Sequence, residues 1–256
     1  MTKTFVDQKD ILKQENNVHG KLFPISLIVS VYLKLQIIFM QNIIIAGAGG
    51  NLGKSVVAAF AKGDYYLNLV EKNNEVYDNR QTAYAIDMAH AEGVDQMINK
   101  IQKSVGDVDV AINLAGRYAP GTIDATTVSD VDNMIDVNFK TSFNLVTSLM
   151  PHFKKRGKGK FVFIGAKAAM NPKTASHNVA YALSKQMLAS LGDIINESEG
   201  IKPISAHVLL VTTLDTETNR QAMPHADFSK WISPDTVAAT IVAIAEGKEE
   251  RTVIEF

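Results

Sequence analysis

The sequence contains no cysteine. A disulfide scaffold, thiolate catalysis and cysteine-held zinc or iron–sulfur centres are thereby excluded. Charge of one sign is also lacking: 26 Lys and Arg stand against 27 Asp and Glu, a net charge of −1. A dedicated nucleic-acid binder carries a basic surplus, so nucleic acid is not an expected partner. Metal-ligand spacing is missing too. The six histidines are His19, His90, His152, His177, His207 and His225, and no two stand four apart. That spacing would put a ligating pair on one helix face, so no metal is expected. After Gln41 there is no repeat, low-complexity tract or linker. Hydrophobic residues at 46% and charged residues at 21% of a 256-residue chain describe a globular protein. Residues 40–256 are therefore read as a single domain.

Residues 1–39 read differently. A polar opening with Lys3, Asp7, Lys9, Asp10, Lys13 and Glu15 precedes an apolar stretch over 22–40, interrupted by Lys34 and Gln36. Its length approaches the ~20 residues of a membrane span, but a central Lys opposes insertion by ~2.5–3.5 kcal/mol. No small-residue cleavage site follows it. Three readings stay open: an upstream extension before a natural start at Met40, a packed or interfacial helix, or a membrane anchor. Without an anchor, no membrane contact and a cytoplasmic location are expected.

From Gln41 onward, strand-length apolar runs alternate with helical patterns. Strands are expected at 42–46, 66–70, 82–86, 108–114, 160–164, 204–211 and 252–256. Helices are expected at 55–61, 91–104, 131–149 and 181–195. A further helix opens at Ser233-Pro234-Asp235, with a Ser cap and Pro in the first turn. Strands apolar on both faces and joined by helices imply a parallel sheet covered on both sides. Right-handed crossovers make it an α/β, Rossmann-type doubly wound sheet of about seven strands.

The first strand runs into Gly47-Ala48-Gly49-Gly50-Asn51-Leu52-Gly53. A glycine cluster alone is a tight turn. Between a strand and a helix it is a phosphate cradle, because backbone N–H groups approach closely and the helix N-terminus favours negative charge. Gly47, Gly49, Asn51, Leu52 and Gly53 are thus candidate cofactor contacts. Glu71 closes the second strand, where a carboxylate accepts both ribose hydroxyls and repels a 2′-phosphate. This favours NADH, although neighbouring Lys72 offsets the repulsion and keeps NADPH open. Asp87, after the third strand, either bonds the adenine amino group or caps the next helix.

Tyr181 and Lys185 stand at i and i+4 on a helix and share a face. A nearby ammonium is expected to lower the phenol pKa from its usual ~10, making Tyr181 a proton donor or acceptor. Asn113-Leu114-Ala115-Gly116 ends the fourth strand, and Asp136-Val137-Asn138-Phe139 lies on the long helix after it.

Together these motifs resemble the short-chain dehydrogenase/reductase family over essentially all of 40–256. The resemblance implies that Tyr181 transfers the proton and that Lys185 binds the nicotinamide ribose and tunes Tyr181. Asn138 would hold a proton-relay water, and Asn113, Ala115 and Gly116 would border the cofactor. Asn51 replaces a usual glycine, and Asn tolerates a left-handed backbone there. The family's catalytic Ser is absent. Ala166 stands in its place, within Gly165-Ala166-Lys167-Ala168-Ala169, and Thr174 and Ser176 are the nearby hydroxyls. That run is similar to the dihydropteridine reductase branch. So is the irregular string from Val211 through Asn219-Arg220 to Trp231, and so is Gly116-Arg117-Tyr118-Ala119-Pro120-Gly121. In that branch's loop an aromatic packs on the pterin, which gives Tyr118 two readings, a substrate contact or a loop aromatic packed on the lid. Ala166 and Tyr118 are the candidate substrate residues.

The implied activity is reduction of a small molecule by NAD(P)H, with a quinonoid dihydropterin as the acceptor that tolerates loss of the Ser. A Ser-independent carbonyl reductase and a dinucleotide-sensing module without turnover are the alternatives. The resemblance also implies a homodimer or homotetramer built through the helices that contain Asn138 and Tyr181.

Overall fold

A computed structural model describes residues 40–71, 80–198 and 203–256. The apolar stretch up to residue 39 and Lys72 lie outside the described residues. Seven strands form one sheet: β1 (Gln41–Ala46), β2 (Tyr65–Val70), β3 (Gln81–Tyr84), β4 (Val110–Asn113), β5 (Gly159–Ala166), β6 (Ile204–Val211) and β7 (Val253–Glu255). Their order is β3-β2-β1-β4-β5-β6-β7, and every pairing is parallel.

The helices are α1 (Asn51–Phe60), α2 (Ala91–Ser104), α3 (Val128–Ile135), α4 (Thr141–Arg156), α5 (Pro172–Ala175), α6 (Val179–Glu197), α7 (Glu217–Ala222) and α8 (Pro234–Ala245). Alternate residues of β1 feed opposite cores, as the period of two requires. Ile44 and Ala46 join Met97, Ile98, Leu145, Leu149, Phe161 and Leu188 on one face. Ile43 and Ile45 join Val56, Phe60, Val237, Ile241 and Ile244 on the other. Both faces are thus closed to water by helices. Among the described residues no helix is long and apolar enough to cross a membrane.

Local chemistry sets the helix ends. Ser233 caps α8, its Oγ accepting the Asp235 N–H at 3.2 Å, and Pro234 fills the first turn. A capping box opens α3, with Thr127 and Asp130 each bonding the other's backbone N–H.

The helix expected at 55–61 starts four residues earlier, at Asn51. The helix expected at 131–149 is interrupted by a π turn at Asp136–Lys140 and continues through Pro151 to Arg156. Several strand ends also move by one or two residues, notably β3, which starts and stops earlier than 82–86.

The topology fixes where a ligand can sit. β1 is flanked by β2 on one side and β4 on the other, so the chain changes direction across the sheet between β1 and β4. The C-terminal ends on either side of that switch leave a crevice. Ala46 lies opposite both Val70 and Asn113, which sets the three strand exits side by side.

Candidate active site

The turn after β1 is shaped by contacts that only glycine permits. Gly47 has φ +79°, and a Cβ there would stand 2.8 Å from the Ala115 nitrogen. A Cβ on Gly53 would fall inside the carbonyls of Gly47 and Ala48. Leu52 is buried and lines the cavity beyond the turn. Gly50 precedes α1 without a side-chain cap, so the first-turn N–H groups face outward with no intrahelical partner.

Asn51 does not take up a left-handed backbone. It opens α1 as a helical residue, and of the glycines in this turn it is Gly47 that has the positive φ. Its side chain reaches instead to α7, donating to Thr218 Oγ1 at 3.1 Å.

Glu71 sits at the exit of β2, and a Cβ on Gly49 would be 2.9 Å from its Oε2. The carboxylate therefore lies against the glycine turn. Asp87 is exposed before α2. It accepts the Ala89 N–H at 2.9 Å and stands 3.4 Å from His90 Nε2, with His90 rather than Asp87 as the N-cap. Asn113 is buried. Its Nδ2 donates to Thr141 Oγ1 and Ser142 Oγ, while its Oδ1 accepts the Ala115 N–H at 3.0 Å. It thereby shapes the β4 exit from behind.

Beside this turn a cavity of about 780 Å³ runs across the sheet ends. Its wall includes Leu52, Gly116, Tyr118, Ala166, Tyr181 and Lys185, and its size is that of a small-molecule site. Lys185 is 5% exposed, and its Nζ donates to Ile164 O at 2.7 Å. The ammonium lies 6.0 Å from the centre of the Tyr181 ring. Burial pushes Lys185 down to about 8 and pushes the Tyr181 phenol up to about 12, with the Tyr118 phenol adding to the latter. The expected lowering of Tyr181 by its lysine is therefore reversed. Withdrawal from water outweighs an ammonium directed at a carbonyl, and Tyr181 is held as a neutral O–H.

Tyr118 is 59% exposed, with its ring edge-to-face on Tyr181 at 5.1 Å. It packs on the Tyr181 ring. Ala166 is buried at the end of β5. Ser176 Oγ donates to Lys173 O at 2.9 Å and is not in the cavity wall. Thr174 is in the wall, but its Oγ1 donates to Ala168 O and Asn171 O.

Asn138 lies in the π turn and is fully buried. Its Oδ1 accepts the Arg117 N–H at 2.8 Å, and its Nδ2 donates to Arg117 O and to Ser184 Oγ, both at 3.0 Å. Ser184 in turn donates to Tyr181 O at 2.7 Å. One side chain thus ties the loop carrying Tyr118 to the helix carrying Tyr181. Sequence reasoning passed over Ser184; its signal was a small polar residue inside the Tyr181–Lys185 turn. It also passed over the Asn51–Thr218 link, which joins residues far apart in the chain.

A doubly wound sheet with a glycine turn at its switch point and a Tyr/Lys pair in one cavity defines a class of dinucleotide-dependent oxidoreductases. The model of the short chain dehydrogenase family matches residues 41–227, and the chain belongs to that family. Among curated relatives, the dihydropteridine reductase of Dictyostelium discoideum is 28% identical over 214 residues, covering 82% of this chain and 90% of its own. The 2,3-dihydro-2,3-dihydroxybenzoate dehydrogenase of Bacillus subtilis is 26% identical over 151 residues, 55% of this chain and 57% of its own. Among solved structures, ElxO with NADP bound superposes with a TM-score of 0.75 at 22% identity, over 85% of this chain and 97% of that one. The ligand-free aldohexose dehydrogenase of Thermoplasma acidophilum gives 0.72 at 18% identity, over 84% and 92%.

Proposed function

We propose that this chain reduces an activated, electron-poor acceptor of the quinonoid dihydropterin kind with NAD(P)H, and that Tyr181 donates the proton. The observation that carries the reading is Ala166, which has no hydroxyl, in the cavity wall beside the Tyr181 phenol. A simple ketone gains from a second hydroxyl that polarises its carbonyl. An acceptor that is already electron-poor needs the proton donor and little more. The similarity to a dihydropteridine reductase over most of both chains supports the same reading.

The residues fit a nicotinamide dinucleotide. Glycine at 116 leaves free the space where a Cβ would lie 3.2 Å from Lys185 Nζ and 2.9 Å from Asn138 Oδ1. The uncapped start of α1 suits a pyrophosphate, and Glu71 against Gly49 suits ribose hydroxyls, which favours NADH. When bound, the dinucleotide supplies the hydride. Lys185 has three donors, of which Ile164 O takes one, leaving others for ribose hydroxyls. Tyr181 gives its proton to the reduced atom. Asn138 Oδ1 has a second lone pair for a water that returns a proton to Tyr181.

The exposed apolar residues Phe143 on α4 and Leu183, Met187 and Ile194 on α6 support assembly through these helices. Sedimentation at two or four chain masses would bear this out, and a monomer would refute it. The functional test is oxidation of NADH and NADPH in the presence of quinonoid dihydropterin and, separately, simple ketones. Turnover with the dihydropterin well above that with ketones is expected. Turnover confined to ketones would instead favour a carbonyl reductase, and none with either would favour a dinucleotide-sensing module.

A further inference from the structure

The wall of the cavity carries charge of one sign. Among the described residues its charged side chains are Arg117, Lys167 and Lys185, and no carboxylate lines it. The chain as a whole has a net charge of −1, so this bias is local. Two of the three cations are already engaged. Lys167 Nζ lies 3.0 Å from Glu255 Oε2, and the buried Lys185 Nζ donates to Ile164 O at 2.7 Å. Arg117 differs. Among the described residues its hydrogen bonds run through the backbone, and its guanidinium has no carboxylate or carbonyl partner.

Those backbone bonds fix the base of the side chain. The Arg117 N–H donates to Asn138 Oδ1 at 2.8 Å, and its carbonyl accepts from Asn138 Nδ2 at 3.0 Å. Asn138 is fully buried and also donates to Ser184 on the helix of Tyr181. The residues on either side of Arg117 stand at the reacting end of the cavity. A Cβ on Gly116 would lie 3.2 Å from Lys185 Nζ, and the Tyr118 ring packs on Tyr181. Arg117 itself is exposed and also borders a smaller recess of about 140 Å³ that contains Asp130. That carboxylate is engaged elsewhere, since its Oδ2 accepts the Thr127 N–H at 2.9 Å and the Thr127 hydroxyl at 2.7 Å. A rigidly based guanidinium thus stands at the cavity with its donors open.

We propose that Arg117 selects an acceptor bearing an anionic group, a carboxylate or a phosphate, on the substituent that trails its reducible ring. This deepens the reductase reading of the preceding section and rests on it. A guanidinium presents its donors in a planar fork that matches two oxygens of either anion. The phosphates of a dinucleotide have their own place at the glycine turn and the start of α1. Arg117 instead follows the β4 exit beside Tyr118, so the charge it meets is the acceptor's. A neutral acceptor makes no use of it.

Calorimetry on the full chain with saturating NAD⁺ tests this, because the phosphate cradle is then filled. The ligands are 6-methylpterin, pterin-6-carboxylate and the phosphate ester of 6-hydroxymethylpterin. At least one anionic pterin is expected to bind about tenfold tighter than the neutral one, as a charge-assisted pair allows. Which of the two gains more identifies the anion. The gap should close as salt is raised, since Arg117 is exposed. It should vanish in Arg117→Met, which keeps both backbone bonds to Asn138, and persist in part in Arg117→Lys. Equal affinity for neutral and anionic pterins, no binding of the anions to the wild type, or a gap that survives Arg117→Met contradicts the proposal. Loss of NADH affinity in Arg117→Met with the gap unchanged would place the guanidinium on the dinucleotide and overturn it too.

Steady-state kinetics separates this from the reading on which it rests. In Arg117→Met, KM for a quinonoid dihydropterin with a carboxylate side chain should rise about tenfold, with the loss confined to the anionic acceptor and to KM. Failure of every acceptor to turn over would refute the reductase reading alone, and the calorimetry then decides Arg117. Turnover confined to ketones would refute the dihydropterin reading, and Arg117 is then judged on a keto acid against its methyl ester. A preference for the acid that is lost in Arg117→Met supports the assignment, and equal kcat/KM for the two contradicts it.

Discussion

Replacing Lys185 by Met should stabilise the protein at pH 7 while removing the donors proposed above for the ribose. Lys185 is 5% exposed, and burial moves it from 10.5 to about 8. That displacement corresponds to about 3 kcal/mol held against the folded state while the amine is charged. Met has a similar length, no charge and adaptable packing. The substitution also leaves Ile164 O without its donor, which costs about 1 kcal/mol. A net gain of about 2 kcal/mol follows, or roughly 4–8 °C in Tm for a domain of this size.

The pH dependence gives the sharper test. The folded pKa lies below the unfolded one, so between pH 8 and 10.5 the unfolded chain holds a proton that the folded chain has released. Wild-type stability therefore rises with pH across that window, and the relief is lost as pH falls through about 8. Denaturation of both proteins from pH 7 to 10, without dinucleotide, isolates this one group because the other titrations cancel in the difference. The advantage of Lys185→Met should shrink steadily toward pH 10. An advantage that stays constant with pH, or a wild type that is more stable at pH 7, would refute the reasoning.

Other consequences follow from the same geometry. Gly53→Ala pushes a Cβ into the carbonyls of Gly47 and Ala48, so NADH affinity by fluorescence titration should fall at least roughly tenfold; an unchanged Kd would remove the turn from the cofactor site. Glu71→Ala should narrow a preference for NADH over NADPH, read as the ratio of their kcat/KM values, and a wild type that favours NADPH would reverse the assignment. Among the described residues, the seven strands and both cores lie after Met40, as do the glycine turn and the Tyr181–Lys185 pair. We therefore propose that a chain beginning at Met40 folds and binds dinucleotide; its insolubility beside a soluble full-length chain would make residues 1–39 part of the fold.

The sheet was legible because its strands are short apolar runs separated by turn chemistry. The Ser233-Pro234 helix start could be read from its cap. The glycine turn was equally clear, since a strand, closely spaced glycines and a helix leave few alternatives. The π turn at Asp136–Lys140 was not, because one widened turn scarcely disturbs the spacing of Met134, Phe139 and Phe143. Its cause is tertiary: Asn138 is bonded to Arg117 and Ser184, which no local pattern announces. Asn51 was misjudged for a related reason. The left-handed conformation that its side chain tolerates is already supplied by Gly47, which leaves Asn51 free to open α1. For Tyr181, spacing showed a lysine nearby but not where its ammonium points or how deeply the pair is buried, and those decide the direction of the pKa.

The central proposal is that Tyr181 delivers the proton that accompanies hydride transfer. The direct measurement is the single-turnover rate of Tyr181→Phe with saturating NADH, alongside its NADH Kd. General acid help is worth roughly 10²–10⁴-fold, so with an acceptor whose reduced form needs that proton the rate should fall within this range while Kd changes less than threefold. An undiminished rate on every acceptor that the wild type reduces would contradict it.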